Sequence, residues 1–317
     1  MKVLVTDPIA AEGLDLLCEQ GYKVDYRPDI SPDELLRTVG QYDALIVRGR
    51  TKVTREVIEA GENLKVIARA GVGVDNIDVE AATERRIPVV NAPASLTTSV
   101  AELTLGLMLS LARHIPRADA GMKAGRWEKK ALMGTELKGK TLGLVGIGRI
   151  GAEVCRLCRA FGMEVIAYDP YLTAEAISKM GAEKVELEDV LKRADYISIH
   201  VPLTPETEGM IGIEALKRMK PTAYLINCSR GGVVDEDALV RALKEGMIAG
   251  AALDVFKDEP PIGSPLLELE NVVLTPHIGG STEEGQSRAS PDAAEGVIAV
   301  LSGKRPKYIV NPGVLSP

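Results

Sequence analysis

Short apolar runs alternate with segments of helical periodicity along the whole chain. The apolar runs predict strands at Lys2–Thr6, Lys23–Tyr26, Ala44–Val47, Val66–Arg69, Val89–Asn91, Thr141–Val145, Val165–Tyr168, Tyr196–His200, Ala223–Asn227, Ala249–Leu253 and Val272–Leu274. The periodic segments predict helices at Ala10–Gln20, Pro32–Val39, Thr54–Ala60, Ser99–His114, Ala152–Phe161 and Ser281–Leu301. Strands that alternate with helices are typical of parallel sheets in an α/β fold.

The strands fall into two groups, which predicts two domains. The helix at Ser99–His114 leads from the first group into the second, and the helix at Ser281–Leu301 returns to the first. We therefore predict a discontinuous first domain, residues 1–97 completed by 284–317, and a second domain of residues 98–283. A chain of 317 residues has room for both.

The segment Gly146-Ile-Gly148-Arg-Ile-Gly151 lies between a predicted strand and a predicted helix. In a dinucleotide-binding turn, Gly146 permits the tight turn, Gly148 lets a pyrophosphate approach the backbone, and Gly151 lets helix and strand pack closely. The N–H groups at the start of the helix, around Arg149 and Ile150, then hold the phosphates. The first domain lacks such a segment, so we place the cofactor in the second.

An acidic residue completes the dinucleotide motif. Asp169 lies eighteen residues after Gly151, at the end of the next predicted strand, where a carboxylate accepts hydrogen bonds from both ribose hydroxyls. Pro170 and Tyr171 follow it, with no cation for a 2′-phosphate. The sequence thus predicts NAD as the cofactor.

Composition and charge exclude several classes of function. The chain is 45% hydrophobic with a mean hydropathy of +0.05, a net charge of −7 and a pI near 5.3. Such a chain offers no basic surface for nucleic acid or anionic lipid. The apolar stretch Val100–Ala112 is too short for a membrane span and contains Glu102, and the segment Met1–Thr6 has a strand pattern rather than that of a leader. We expect a cytoplasmic protein with no nucleic-acid or membrane partner.

Cys155 and Cys158 have the spacing of a redox or zinc pair, but no second pair or histidine lies near them in the sequence. They fall within the helix after the glycine segment, and we predict that both sulfurs pack against the sheet. We predict no metal site.

Three further motifs follow predicted strands, at the sheet edge where ligands bind in open α/β folds. They are Ile226-Asn-Cys-Ser-Arg230-Gly-Gly, Leu253-Asp-Val-Phe-Lys-Asp-Glu259-Pro-Pro and Leu274-Thr-Pro-His277-Ile-Gly-Gly-Ser. Singly, each fits an ordinary surface turn. The chain has three histidines; of these, His114 ends a predicted helix, His200 ends a buried strand, and His277 lies between a proline and glycines, where its side chain can face a cleft.

Together these segments resemble the D-isomer-specific 2-hydroxyacid dehydrogenases over nearly the whole chain. The intervals of 29 and 18 residues that separate Arg230, Glu259 and His277 match that family. Further matching segments are Ile46–Thr54, Ala68–Ile77, Gly125–Trp127, Gly134–Leu142, Asn227–Asp235 and Pro276–Thr282. The resemblance implies an α/β fold of two doubly wound parallel-sheet domains, Rossmann- or flavodoxin-like, with a cleft between them.

Chemistry assigns the three catalytic roles. Hydride transfer from an alcohol requires a base for the hydroxyl proton, a role that suits histidine, and we assign it to His277. Glu259 would pair with the other ring nitrogen, fix the tautomer and stabilise the imidazolium. Arg230 can bind the carboxylate and keto oxygen of the substrate through its planar guanidinium.

The resemblance implies further contacts. Gly71-Val72-Gly73 becomes a backbone loop for the substrate carboxylate, although the family often has threonine at the position of Val72. The nicotinamide-side positions are Cys228, Ser229, Asp254, Gly279 and Gly280, and an adenine-side position is Val201. The resemblance also implies a homodimer through the cofactor domain, in which we expect the only tryptophan, Trp127, to pack on the partner subunit. The alternative is that its indole lies flat over its own chain, beneath Arg126 or Lys129.

The substrate implied is 3-phospho-D-glycerate, oxidised with NAD to 3-phosphooxypyruvate as the first step of serine biosynthesis. Arg48, Arg50, Lys52 and Arg69 concentrate cations at strand ends of the first domain, as a phosphate requires, and we select Arg48 as its ligand. Ordinary solvated charges are the alternative for this cluster.

Two other functions stay open. One is a glyoxylate, hydroxypyruvate or D-lactate type of reductase, whose substrate has no phosphate. The other is an NAD(H)-sensing corepressor-like protein with the same fold. Larger members of the family continue into regulatory domains that bind serine, and the ending Val310–Pro317 is compatible with a short form or with part of a longer chain.

Overall fold

The computed structural model describes residues 1–315, which form two compact units. Unit 1 contains Met1–Leu96 and the segment that begins at Gly280, and unit 2 is Thr97–Gly279. The boundaries predicted from the sequence lie one and four residues further along the chain.

The strands lie close to the predicted positions. Their bounds are β1 Lys2–Val5, β2 Lys23–Tyr26, β3 Ala44–Val47, β4 Val66–Arg69, β5 Val89–Asn91, β6 Thr141–Val145, β7 Glu164–Tyr168, β8 Glu183–Lys184, β9 Tyr196–Ile199, β10 Tyr224–Asn227, β11 Gly250–Leu253 and β12 Val272–Leu274. Only β8, a two-residue strand at the edge of its sheet, has no counterpart among the predictions for residues 1–315.

The helices include several that the periodicity did not predict. Their bounds are α1 Ala11–Glu19, α2 Pro32–Thr38, α3 Arg55–Ala60, α4 Val79–Glu84, α5 Thr97–Arg113, α6 Ile115–Lys123, α7 Arg149–Ala160, α8 Ala174–Lys179, α9 Leu187–Arg193, α10 Ile213–Leu216, α11 Glu236–Lys244 and α12 Glu283–Leu301. The predicted start of α7 at Ala152 was wrong, because the helix begins directly after Gly148. His114 ends α5, as predicted: it follows Arg113 in a left-handed conformation, with φ of 54°, and a second helix, α6, starts at the next residue.

Among the helices within residues 1–315, none combines the length and the apolar character that crossing a membrane requires.

Unit 1 is built on a parallel sheet with the strand order β2-β1-β3-β4-β5. Successive residues of its central strands belong to different apolar clusters: Val3 and Val5 pack on one face, and Leu4 packs on the other. Side chains alternate between the two faces of a strand, so a strand that is apolar throughout is covered on both sides. This is a doubly wound sheet of the flavodoxin type.

Unit 2 is built on a parallel sheet with the order β12-β11-β10-β9-β6-β7-β8. The order reverses between β6 and β9, so the chain runs outward in one direction from β6 and in the other from β9. The main apolar core packs between this sheet and helices such as α9 and α11. This is the Rossmann arrangement, in which ligands bind at the carboxyl ends of the strands where the order reverses.

Candidate active site

The glycine segment forms a tight turn between β6 and α7. Gly146 has φ of +87°, and a Cβ atom there would lie 2.7 Å from the carbonyl oxygen of His200. A Cβ atom at Gly151 would lie 2.6 Å from the carbonyl oxygen of Gly146. Because neither position has space for a side chain, only glycine permits this approach of helix, turn and neighbouring strand.

The first turn of α7 is open to a ligand. Its N-cap residue, Gly148, has no side chain to accept the N–H groups of the helix, and a Cβ atom placed there would meet no other atom within 4 Å. The first N–H groups of a helix have no partner within the helix and favour an anion. The residues present therefore fit a dinucleotide pyrophosphate. Val201 lies against Gly146, beside the same turn.

Asp169 follows β7 and is almost fully buried. Its Oδ2 accepts a hydrogen bond from the backbone N–H of Ile147 at 3.2 Å, and its Oδ1 accepts one from the N–H of Tyr171 at 3.0 Å. The carboxylate is therefore held beside the glycine turn, where a ribose would meet its remaining lone pairs.

His200 directly follows β9, beside the same turn, but it is not suited to proton transfer. Burial lowers the pKa of its ring to about 4, so the ring is neutral at physiological pH. Its Nε2 lies 2.9 Å from the hydroxyl of Ser198. We conclude that His200 is a satisfied structural group.

The loop after β10 carries Arg230 and is shaped by a residue that the sequence analysis did not select. The side chain of Asn227 accepts hydrogen bonds from the N–H and the hydroxyl of Ser229 at 3.0 and 2.8 Å, and it donates to the carbonyl of Arg230 at 2.9 Å. Asn227 is 1% exposed. The sequence contains one signal for this role of Asn227: it is an asparagine at the end of a predicted strand, just before a polar loop. Cys228 lies between Asn227 and Ser229. Burial raises the pKa of its thiol to about 12, so the thiol stays protonated.

Glu259 and His277 form a hydrogen-bonded pair. Glu259 Oε2 lies 2.7 Å from His277 Nδ1, and Glu259 Oε1 accepts the N–H of Phe256 at 3.1 Å. Burial raises the pKa of Glu259, but these two hydrogen bonds and the charge of Arg230 outweigh it and hold the pKa below its usual value. Glu259 is therefore ionised at neutral pH and leaves Nε2 of His277 for another partner.

Three other residues predicted on the nicotinamide side, Asp254, Gly279 and Gly280, lie in or beside the loops that carry Glu259 and His277. Asp254 lies at the end of β11 and binds the backbone of the loop that carries His277, including the N–H of Gly279 at 2.8 Å. Gly280, the next residue, is the first of the returning segment of unit 1, where its carbonyl accepts a hydrogen bond from Gln286.

In unit 1, the four cations near the strand ends have different surroundings. Arg50 donates to the carbonyls of Thr6 and Ile30 at 2.5 and 3.1 Å, and Arg69 donates to the carbonyls of Arg48 and Gly73. The guanidinium of Arg48 makes no hydrogen bond or ion pair with any residue that the structure describes. Arg50 and Arg69 thus bond to backbone carbonyls, whereas the guanidinium of the half-buried Arg48 has donors that could hold an anion.

Arg48 is held by its main chain. Its N–H donates to the carboxylate of Asp7 at 2.6 Å, and the same carboxylate accepts the N–H and hydroxyl of Thr51. Burial lowers the pKa of the Arg48 guanidinium and the charge of Asp7 raises it, but arginine remains charged. The side chain lines a cavity of about 550 Å³ in unit 1, together with Ala10, Ser281, Thr282, Glu283, Gln286 and Ser287.

The loop Gly71-Val72-Gly73 has each of its carbonyls engaged. They accept hydrogen bonds from the N–H of Ala92 at 2.8 Å, from Asn91 Nδ2 at 2.6 Å and from Arg69. Within residues 1–315, no acceptor is found for the N–H groups of Val72 and Gly73. Such paired donors suit a carboxylate.

Cys155 and Cys158 lie in α7, and their sulfurs contact residues outside the sheet. Cys158 Sγ lies 3.9 Å from Met108 Sδ of α5, and Cys155 Sγ is 3.4 Å from the carbonyl of Met180. Burial raises the pKa of both thiols, that of Cys158 to about 12. These thiols are packed and unreactive groups.

The chain is similar to known proteins in both sequence and structure. The family model for "D-isomer specific 2-hydroxyacid dehydrogenase, NAD binding domain" matches residues 105–279. A D-3-phosphoglycerate dehydrogenase of Methanocaldococcus jannaschii is 53% identical over 98% of this chain and 59% of its own length, so the chain spans about three fifths of that relative.

Two solved structures are similar to the whole chain. The TT0316 protein from Thermus thermophilus has a TM-score of 0.89 and 41% identity, over 98% of this chain and all of that one. A glyoxylate reductase from Paecilomyes thermophila also has a TM-score of 0.89, with 31% identity over 99% of each chain.

Proposed function

The chain belongs to the D-isomer specific 2-hydroxyacid dehydrogenases, with an NAD-binding unit 2, and from this we propose that it oxidises 3-phospho-D-glycerate to 3-phosphooxypyruvate with NAD. The observation that carries the proposal is the contact of 2.7 Å between Glu259 and His277, on loops that follow neighbouring strands of the NAD-binding sheet. A histidine with one nitrogen on a carboxylate and the other open is suited to acid–base work on an alcohol.

The proposed roles follow from the positions of the polar atoms. His277 Nε2 takes the proton of the substrate hydroxyl, while the hydride leaves the carbon that carries this hydroxyl. Glu259 holds Nδ1–H and stabilises the imidazolium that forms. Arg230 binds the carboxylate and the developing keto oxygen. Bound NAD would supply the hydride acceptor, while the protein supplies orientation and electrostatics.

Unit 1 supplies the proposed substrate contacts. The N–H groups of Val72 and Gly73 bind the substrate carboxylate, and Arg48 binds its phosphate. Support comes from the unsatisfied donors of Arg48 and from relatives named D-3-phosphoglycerate dehydrogenase at 44–53% identity. The glyoxylate reductase, at 31% identity, is a more distant relative.

One assay tests the function against its alternatives. The purified protein is mixed with NAD and 3-phospho-D-glycerate, and NADH formation is followed by absorbance; the same assay is run in reverse with glyoxylate and hydroxypyruvate. We expect kcat/KM to be highest for the phosphorylated pair. A preference for glyoxylate would identify a reductase, and cofactor binding without turnover of any of these acids would favour the corepressor-like alternative.

The substrate phosphate is tested at Arg48. We expect Arg48→Ala to raise KM for 3-phospho-D-glycerate about ten- to a hundredfold, as loss of a charge-assisted hydrogen bond implies, with much less effect on D-glycerate. Arg37→Ala, which removes the same side chain from an exposed position of unit 1 outside this cluster, is the matched control. Equal losses on both substrates would assign Arg48 to the fold alone.

Cofactor choice is tested at Asp169. Its charge would repel a 2′-phosphate, so we expect NAD to be preferred over NADP, and Asp169→Asn to reduce that preference by about tenfold because the amide keeps the shape and loses the charge. The readout is the ratio of kcat/KM for the two cofactors. Comparable values in the unmodified protein would contradict the assignment.

We propose that the protein is a homodimer through unit 2, acting in the cytoplasm. Support for the dimer comes from exposed apolar side chains concentrated in α6 and the loop after it: Ile115, Met122, Trp127 and Met133. Trp127 is 78% exposed, and large exposed aromatic side chains are typical anchors of interfaces. Support for the compartment comes from the free thiols of all four cysteines, as expected in a reducing environment.

Dimerisation is tested at Trp127. We expect Trp127→Ala to weaken the dimer about thirtyfold, the effect of losing an interface anchor. Sedimentation over a series of concentrations measures it, with Leu36→Ala, at an exposed apolar position of unit 1, as the control. A monomeric unmodified protein, or an equally tight dimer in the variant, would contradict the proposal.

A further inference from the structure

Asp254 is a buried carboxylate whose oxygens are engaged by one loop. The residue is 1% exposed. Its Oδ1 accepts hydrogen bonds from the hydroxyl of Thr275 at 2.6 Å and from the N–H of Ile278 at 2.8 Å, and its Oδ2 accepts the N–H of Gly279 at 2.8 Å. A charge is costly to bury unless donors satisfy it, and these three donors meet that requirement.

The donors lie on both sides of His277 in the sequence. His277 has φ of +52°, in the left-handed region that side chains other than glycine rarely adopt. Its own N–H donates to the carbonyl of Thr275 at 3.0 Å. Such a conformation persists only where its surroundings determine it, and the hydrogen bonds to Asp254 hold the residues before and after it. The direction of the imidazole therefore depends on Asp254.

Asp254 also connects this loop to the two other loops of the site. Its N–H donates at 2.9 Å to the carbonyl of Asn227, the last residue of β10 and the one before the loop that carries Arg230. Asp254 is also the first residue after β11, at the start of the loop that carries Glu259. A shift of Asp254 would therefore change the separation of Glu259 and His277.

We propose that Asp254 is a positioning residue that acts through His277. Its carboxylate fixes the loop at residues 275–279 so that Nδ1 meets Glu259 and Nε2 faces the substrate. This role goes beyond the nicotinamide-side contact that the family resemblance implies, and it rests on the proposed role of His277 as the acid–base group.

The sharpest test removes one hydrogen bond and no charge. Thr275→Val keeps the shape of the side chain and replaces no charged residue, so we expect kcat to fall about three- to tenfold, the effect of one hydrogen bond. The pH at which keto-acid reduction falls to half its maximum should move down, as the contact with Glu259 loosens, while the NADH dissociation constant stays unchanged. If Asp254 acted only through its charge and did not position the loop, kcat and the pH profile of Thr275→Val would both be unchanged. That result would overturn the proposal.

A double-mutant cycle identifies the route of the effect. Asp254→Asn alone should lower kcat about a hundredfold, as misplacement of a catalytic group does. In a His277→Gln background it should cause little further loss, because the group that it positions is gone. If the two losses multiply, or if Asp254→Asn raises only the NADH dissociation constant, Asp254 does not act through His277. If His277→Gln itself retains full activity, the proposed function fails instead. Thermal unfolding of each variant verifies the fold, and Thr275→Val decides the proposal if Asp254→Asn does not fold.

Discussion

Replacing His277 with glutamine is expected to lower turnover by a factor of about 10² to 10⁴, the range for removal of a general acid–base group. Glutamine keeps a polar side chain of similar length but carries no proton in the useful range. Because the ring acts on the substrate, the dissociation constant of NADH, measured by fluorescence titration, should change little. His200→Gln is the matched control, since His200 is neutral and bonded to Ser198.

A different pattern would contradict the assignment of His277. If His277→Gln lost NADH affinity and turnover in parallel, the residue would serve the binding of the cofactor. If His200→Gln lost as much turnover as His277→Gln at saturating NADH, the acid–base group would lie elsewhere.

The second large effect is expected at Glu259. In the native protein its carboxylate is ionised, because two hydrogen bonds and the charge of Arg230 hold its pKa down, and it stabilises the protonated form of His277. Keto-acid reduction needs that protonated form. In Glu259→Gln the stabilisation is gone, so the pH at which reduction falls to half its maximum should move down by about one to two units, the usual effect of one nearby opposite charge.

The pH–rate profile of reduction, recorded at saturating keto acid, measures this shift. Glu268→Gln makes the same change of charge at an exposed position of unit 2 and should leave the profile in place. An unmoved profile in Glu259→Gln would leave Glu259 with a structural role only.

The strands and the α/β class were predictable from the sequence because their signals are local. Apolar runs such as Ala44–Val47 are buried on both faces of a parallel sheet, and the fold confirmed that class. Short helices such as α4 and α10 were missed. A helix of four to six residues has little stability of its own, so tertiary packing rather than periodicity decides where it forms.

The site was predictable only in part. The spacing of Glu259 and His277 indicated a pair, and the structure has them in contact. The difference between Arg48 and Arg50 was invisible, because both are arginines in one loop and only the folded chain shows which guanidinium meets the carbonyls of Thr6 and Ile30. The network around Asp254 was equally hidden, since its donors are mostly backbone N–H groups, which every sequence contains.

The return of α12 to unit 1 has a consequence for the order of events during synthesis. This helix packs against α1 and β4, and the N–H of Ala10 donates to the hydroxyl of Ser290 at 2.9 Å. Unit 2 is continuous, so all of its core residues have been made once the ribosome has passed Gly279. Unit 1 begins first but must wait for residues near the other end of the chain. On the ribosome, the nucleotide-binding half is therefore expected to complete its fold before the half whose residues emerge earliest.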